Sequence, residues 1–223
     1  MNIKLFFEAI IKFLLGVILV VLLIFIPAGT FDYLNGWLFI GLLFIPMLIA
    51  GIIMMFKSPG LLRSRLNAKE KEMEQRHVVI LSGLMFLLGF VVAGLNYRFG
   101  WMKLPNIVSI IASVVFIVSY IIYAEVLREN AFLSRTIEVQ KEHKVIDTGL
   151  YKMVRHPMYT ATIFLFLSIP LILGSIISFI IFLVYPFIII KRINNEEKVL
   201  EKELNGYKEY KEKVKYKLIP FIW

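Results

Sequence analysis

The chain has 223 residues, 59% of them hydrophobic, with 25 Lys plus Arg against 16 Asp plus Glu and a formal net charge of +9. Ordinary globular chains are about 45–50% apolar and about 25% charged, so a soluble domain of this size cannot hide the apolar surface encoded here. Cys is absent, which excludes disulfides and thiolate chemistry, and the three His (His77, His143, His156) lack metal-ligand spacing.

The charges avoid five stretches, residues 13–31, 33–56, 78–97, 104–124 and 156–190. That segregation predicts an all-α, polytopic membrane helix bundle, because a pass through about 30 Å of hydrocarbon takes about 20 apolar residues. It also argues against a nucleic-acid partner despite the basic balance. Residues 5–26 are long enough to span and read as the first transmembrane helix rather than a cleaved leader. Residues 34–56, 78–97 and 105–125 supply three more passes. The intervening cluster from Arg63 to Arg76 reads as a cytoplasmic loop, solvated in the favoured reading and gating the site in the alternative.

The stretch 156–190 is too long for one upright helix. Pro170 and Gly174-Ser175 near its middle predict a helical hairpin of two short passes over 157–190, with one long kinked helix as the competing reading. With six passes, 23 Lys and Arg fall on one side of the membrane and 2 on the other. That asymmetry favours the hairpin and places both termini in the cytoplasm. The chain therefore divides into N-terminal transmembrane helices (1–130) and a region (131–223) made of connector, hairpin and tail. In the tail, Val199, Leu200, Leu204, Tyr207, Tyr210 and Val214 recur at helical spacing, with Asn205-Gly206 as a break. On pattern alone this is an amphipathic, basic surface helix drawn to anionic lipid.

Polar groups at a membrane mouth are functional candidates by default. One cluster, Gln140 through Tyr159, precedes the hairpin; a second, Arg192 through Glu197, follows it. A hairpin returns its exit to its entrance, so the two clusters meet at one mouth. Pro157 suits the first turn of a helix capped by His156, whose free N–H groups would seat an anion. The plainer alternatives are that Tyr151 and Tyr159 anchor the interface, that Arg155 and Arg192 snorkel, and that Arg192 and Glu196 form a surface pair while Glu197 solvates an exposed face.

The combination Gly149-x-Tyr151-x-x-x-Arg155-His156-Pro157-x-Tyr159, then Arg192-x-x-x-Glu196-Glu197, then Tyr207-x-x-Tyr210, resembles the isoprenylcysteine carboxyl methyltransferase family of membrane enzymes, and more distantly the phospholipid N-methyltransferases. The run Gly94 to Trp101 looks like prokaryotic members, which implies a prokaryotic cell membrane. Leu150 and Ala161 depart from the family's common Pro and Gly. The resemblance implies S-adenosyl-L-methionine as cofactor and no metal. It implies cofactor contacts from Gln140, His143, Lys144, Val145, Ile146, Tyr151, His156, Pro157, Met158, Tyr159 and Glu196, with Arg192 facing the methyl acceptor. Arg155, Glu197 and Gly149 are secondary candidates. The acceptor would be a lipophilic small molecule or a lipidated substrate reached from the bilayer. An amine acceptor would need a base, for which Glu197 and His156 are the candidates. Two other classes stay open, an NADPH-dependent reductase of the sterol-reductase type and a non-enzymatic membrane protein that binds a partner.

Overall fold

The computed structural model describes residues 3–66, 73–130, 132–133 and 143–223, with the side chains of 73–75 excepted. Four long helices come first: α1 (Ile3–Ala28), α2 (Leu34–Lys57), α4 (Met73–Phe99) and α5 (Asn106–Glu129), with a short α3 (Pro59–Leu66) between the second and third. The hairpin follows as α6 (Pro157–Ile172), α7 (Ile176–Phe182) and α8 (Tyr185–Glu203), and α9 (Tyr207–Lys213) closes the chain. Among the described residues, five helical segments, with α7 and α8 counted together, are long and apolar enough to cross a membrane. The hairpin's first arm, α6, has 16 residues, about 24 Å at about 1.5 Å per residue.

One expectation about this region changes in detail. Pro170 does not break the hairpin but lies inside α6; the reversal occurs at Gly174, whose φ of +72° is open to glycine and strained for other residues. The change of composition at Lys191 falls inside a helix, since α8 runs unbroken from Tyr185 to Glu203. The hydropathy switch alters what surrounds the helix, not its backbone. Asn205-Gly206 does separate α8 from α9, as its composition suggests.

Hydrogen bonds fix which ends of the helices lie level. The hairpin tip is bonded to the loops before α2 and α5 and to the start of α5: Tyr33 donates its hydroxyl to the Leu173 carbonyl, Leu104 N–H donates to the Gly174 carbonyl at 3.3 Å, and Ser109 Oγ donates to Leu171 O at 3.1 Å. At the opposite end Lys12 Nζ donates to Leu66 O at 2.8 Å. The start of α1, the end of α3 and the described residues of both mouth clusters therefore lie at the end opposite the hairpin tip.

The core is shared by the N-terminal helices and the hairpin. Ile24, Phe39, Phe116, Ile169, Phe182 and Ile193 are fully buried within one cluster, and α6 packs along α5 while α7 packs on α4. Ser178 ties the last contact by donating its hydroxyl to Gly89 O at 2.8 Å. Large apolar side chains such as Ile11, Leu15, Leu19, Ile49, Ile52, Ile110 and Ile121 remain exposed along α1, α2 and α5. That surface is what lipid covers, since in hydrocarbon only the backbone's polar groups must be satisfied internally.

Candidate active site

The mouth is assembled from the end of α5, the segment 143–159, α8 and the tail. Glu129, at the C-terminus of α5, accepts hydrogen bonds from Thr148 Oγ1 at 2.8 Å and from Leu150 N–H at 3.2 Å, and so holds the 3₁₀ turn Gly149–Lys152. Gly149 has a φ of +48°, and a Cβ there would collide with the Glu129 carboxylate. Its importance is to this turn, and it does not line the cleft described below. Gly149→Ala is expected to lower the thermal midpoint and to weaken whatever Tyr151 binds, because both strain and clash act on the turn that carries Tyr151. An unchanged midpoint would show that the turn tolerates a side chain.

Tyr151 is buried at this turn. Its hydroxyl accepts from Asn130 Nδ2 at 3.0 Å, and its carbonyl accepts from the Tyr210 hydroxyl at 2.8 Å. The chain then enters α6 with Pro157 in the first turn, as the sequence suggests. The backbone just before this helix end is tied to the tail. Arg155 N–H and His156 N–H donate to Tyr216 O and Lys217 O, both at 2.9 Å, and the His156 ring lies against Glu197.

Two faces of α8 do different work. On one, Glu197 is 4% exposed and accepts from Arg155 Nε at 2.7 Å, with His156 Nε2 at 3.2 Å and Lys217 Nζ at 3.2 Å. Arg155 also donates to Val214 O at 2.6 Å and Lys215 O at 2.9 Å. This is a buried clamp that fastens the tail to the hairpin. Glu197 is thus not the solvated side chain that its charge alone suggests. On the other face Arg192 Nε donates to the Tyr159 hydroxyl at 2.8 Å, and that hydroxyl donates to Glu196 Oε2. The Arg192 guanidinium lies 6.0 Å from the Tyr159 ring centroid.

The tail is not a lipid-facing surface helix. Leu204, Tyr207, Tyr210 and Val214 are buried in a second cluster with Tyr151 and Val126, so the amphipathic pattern reflects docking on the mouth. Between tail and hairpin lies an open cleft. It is lined by His143, Lys144, Val145, Ile146, Tyr151, Arg155, His156, Pro157, Met158, Tyr159, Arg192 and Glu196, all of them candidates from the sequence. Gln140 lies outside the described residues. Asn130, Phe132, Leu133, Leu200, Leu204, Tyr207 and Tyr210 complete the lining. The tail positions carried a signal in their helical spacing; Asn130 and Phe132 carried none.

The cleft is aromatic and mostly neutral. His143 stacks on Phe132 with ring centroids 4.6 Å apart. Burial holds its imidazole below the ordinary range, although Glu196 partly opposes this. Burial likewise raises the phenols of Tyr151, Tyr207 and Tyr210, which stay protonated. Two polar atoms of the lining, His143 Nδ1 and the Tyr207 hydroxyl, are buried with no hydrogen-bond partner among the described residues. Among the described residues no cluster of His, Asp and Glu is placed to hold a metal ion.

These groups can meet a cation, an ammonium and neutral polar atoms of a small molecule. Aromatic faces stabilise a cation such as a sulfonium, Glu196 can receive an ammonium, Lys144 offers a positive charge, and the two unpartnered atoms await neutral polar groups. Residues 107–202, which run from α5 to near the end of α8, match the isoprenylcysteine carboxyl methyltransferase (ICMT) family. No curated protein matches the chain.

Proposed function

From the match of residues 107–202 to the isoprenylcysteine carboxyl methyltransferase family, we propose that the protein is a membrane methyltransferase whose donor is S-adenosyl-L-methionine and whose acceptor is a carboxylate on a lipophilic, isoprenoid-like molecule drawn from the bilayer. The observation that carries the reading is the chain of hydrogen bonds from Arg192 through Tyr159 to Glu196 inside one aromatic cleft. It puts a cation for the acceptor and an anion for the donor's amine on either side of one phenol. Both termini then face the cytoplasm, where the donor is available.

When bound, the cofactor supplies a methyl group on a sulfonium, which leaves as a neutral thioether. The residues of the chain do the positioning. Glu196 receives the ammonium, Tyr151 and Tyr159 face the cation, and His143 with the segment Lys144 to Ile146 borders the remainder. Arg192 orients the acceptor through its planar fork. A carboxylic acid with a pKa near 4 is already ionised at neutral pH and needs no base, so orientation and exclusion of water carry the rate.

The clamp supports a carboxylate over an amine. An amine acceptor would have to lose a proton, and the sequence offers Glu197 or His156 for that task. In the structure Glu197 is buried against Arg155, Lys217 and the His156 ring itself. A carboxylate held by several cationic partners is a poor proton acceptor.

Titration of the detergent-purified protein with S-adenosylhomocysteine tests the donor assignment. Saturable binding is expected, weakened about 10–100-fold in Glu196→Ala, the loss of one charge-assisted hydrogen bond. Binding of NADPH in a parallel titration, with none of S-adenosylhomocysteine, would move the protein to the reductase class.

A further inference from the structure

Tyr207 and Tyr210 lie three residues apart on α9, both 4% exposed, yet their hydroxyl groups are treated differently. Tyr210 donates to the Tyr151 carbonyl at 2.8 Å. The Tyr207 hydroxyl, in a residue that lines the cleft, has no partner among the described residues. Leaving a buried hydroxyl unpaired is costly, and such groups are rare enough in folded proteins to need a reason. A nearby phenylalanine would fill the same space without that cost. The clamp on Arg155 and Glu197, meanwhile, holds the segment that follows α9 firmly against the hairpin, so the hydroxyl is presented by a fixed wall.

We propose that Tyr207 is a ligand-contact residue whose hydroxyl donates to an acceptor atom of the small molecule in the cleft, which makes α9 a wall of the donor site. The inference rests on the methyltransferase reading, and adds to it a contact from outside the hairpin clusters. The phenol is held protonated by burial and by the nearby carboxylates Glu197 and Glu196, so it acts as a donor. His143 Nδ1, the other unpartnered atom of the lining, meets a second polar atom of the same molecule.

Substitution by phenylalanine separates this role from a structural one, because the two predict opposite effects on the ligand-free protein. Tyr207→Phe is expected to weaken S-adenosylhomocysteine binding about 5–10-fold, the loss of one neutral hydrogen bond, while the ligand-free thermal midpoint holds or rises. Tyr210→Phe, which removes a satisfied donor, is expected to lower that midpoint. Binding by Tyr207→Phe within about twofold of wild type would overturn the inference. So would a fall in its midpoint matching that of Tyr210→Phe, since the hydroxyl would then be a structural partner. Failure of the unsubstituted protein to bind S-adenosylhomocysteine removes the donor assignment and this inference with it, and is recognised before any substitution is made.

Discussion

Glu197→Ala is expected to destabilise the protein by about 3–5 kcal/mol, the usual consequence of removing one partner from a buried ion cluster. Glu197 neutralises the Arg155 side chain at 2.7 Å and Lys217 at 3.2 Å, and Arg155 is itself only 6% exposed. Without the carboxylate, two cations and an imidazole share a site from which water is largely excluded. Arg155 retains the carbonyls of Val214 and Lys215 as acceptors, but these do not cancel its charge. The least costly relaxation is for the tail to lift, hydrating Arg155 and Lys217 and opening the cleft. Thermal unfolding in detergent, with limited proteolysis across residues 204–218, reads both consequences. Glu197→Gln keeps the shape and loses the charge, and is expected to fall between wild type and alanine. A midpoint and a cleavage pattern like wild type's in Glu197→Ala would mean that the tail is held by its apolar contacts alone.

Leu204, Tyr207, Tyr210 and Val214 are the residues that do hold it apolarly, and they show what a sequence yields and what it hides. Their helical spacing is visible, and so is the basic character of the surrounding segment. The pattern identifies a helix with an apolar side without identifying what that side meets. Lipid was the plain reading, because a basic amphipathic helix beside a membrane is attracted to it. The tail instead meets Tyr151 and Val126, a contact between residues some 50 or more positions apart, which no local pattern encodes.

The hairpin was legible for a different reason. Thirty-five uncharged residues exceed one upright span, and a reversal had to lie near the middle. Its position was set by backbone freedom at Gly174 rather than by Pro170, since a proline near a helix end disturbs few hydrogen bonds while a left-handed residue turns the chain. The convergence of the two polar clusters followed from that reversal. The neighbours from the end of α5 did not. Asn130 supports Tyr151, and Glu129 caps the turn before it, yet both read in the sequence as the ordinary polar end of a membrane helix. The division of labour between adjacent Glu196 and Glu197 was equally hidden. One residue of offset on α8 is a rotation of about 100°, enough to send one carboxylate to the cleft and the other to the buried clamp.

Arg192→Lys is expected to reduce methyl transfer about 100–1,000-fold while leaving S-adenosylhomocysteine affinity within a few-fold of wild type. The argument is geometric. Arg192 is anchored through Nε to the Tyr159 hydroxyl, and its cationic end lies 6.0 Å from that ring's centroid, so the plane of the fork is set by the phenol. A lysine would keep the charge but lose both the anchor's direction and the paired donors that align a carboxylate. Misalignment of a nucleophile by a small distance is costly when positioning supplies the rate. Tyr159→Phe tests the anchor separately: it removes the hydroxyl that joins Arg192 to Glu196 and is expected to impair turnover and cofactor affinity together. The measurement is single-turnover transfer of a labelled methyl group to an isoprenylated cysteine analogue, beside calorimetric cofactor binding. A lysine variant with wild-type turnover would reduce Arg192 to a cation that sets helix depth, and would shift the search for the acceptor's anchor to Lys144 on the other mouth cluster. A variant that loses cofactor affinity in proportion to turnover would place Arg192 on the donor's side of the cleft. Only a loss of rate at nearly constant affinity is the signature of a residue that holds the acceptor in line.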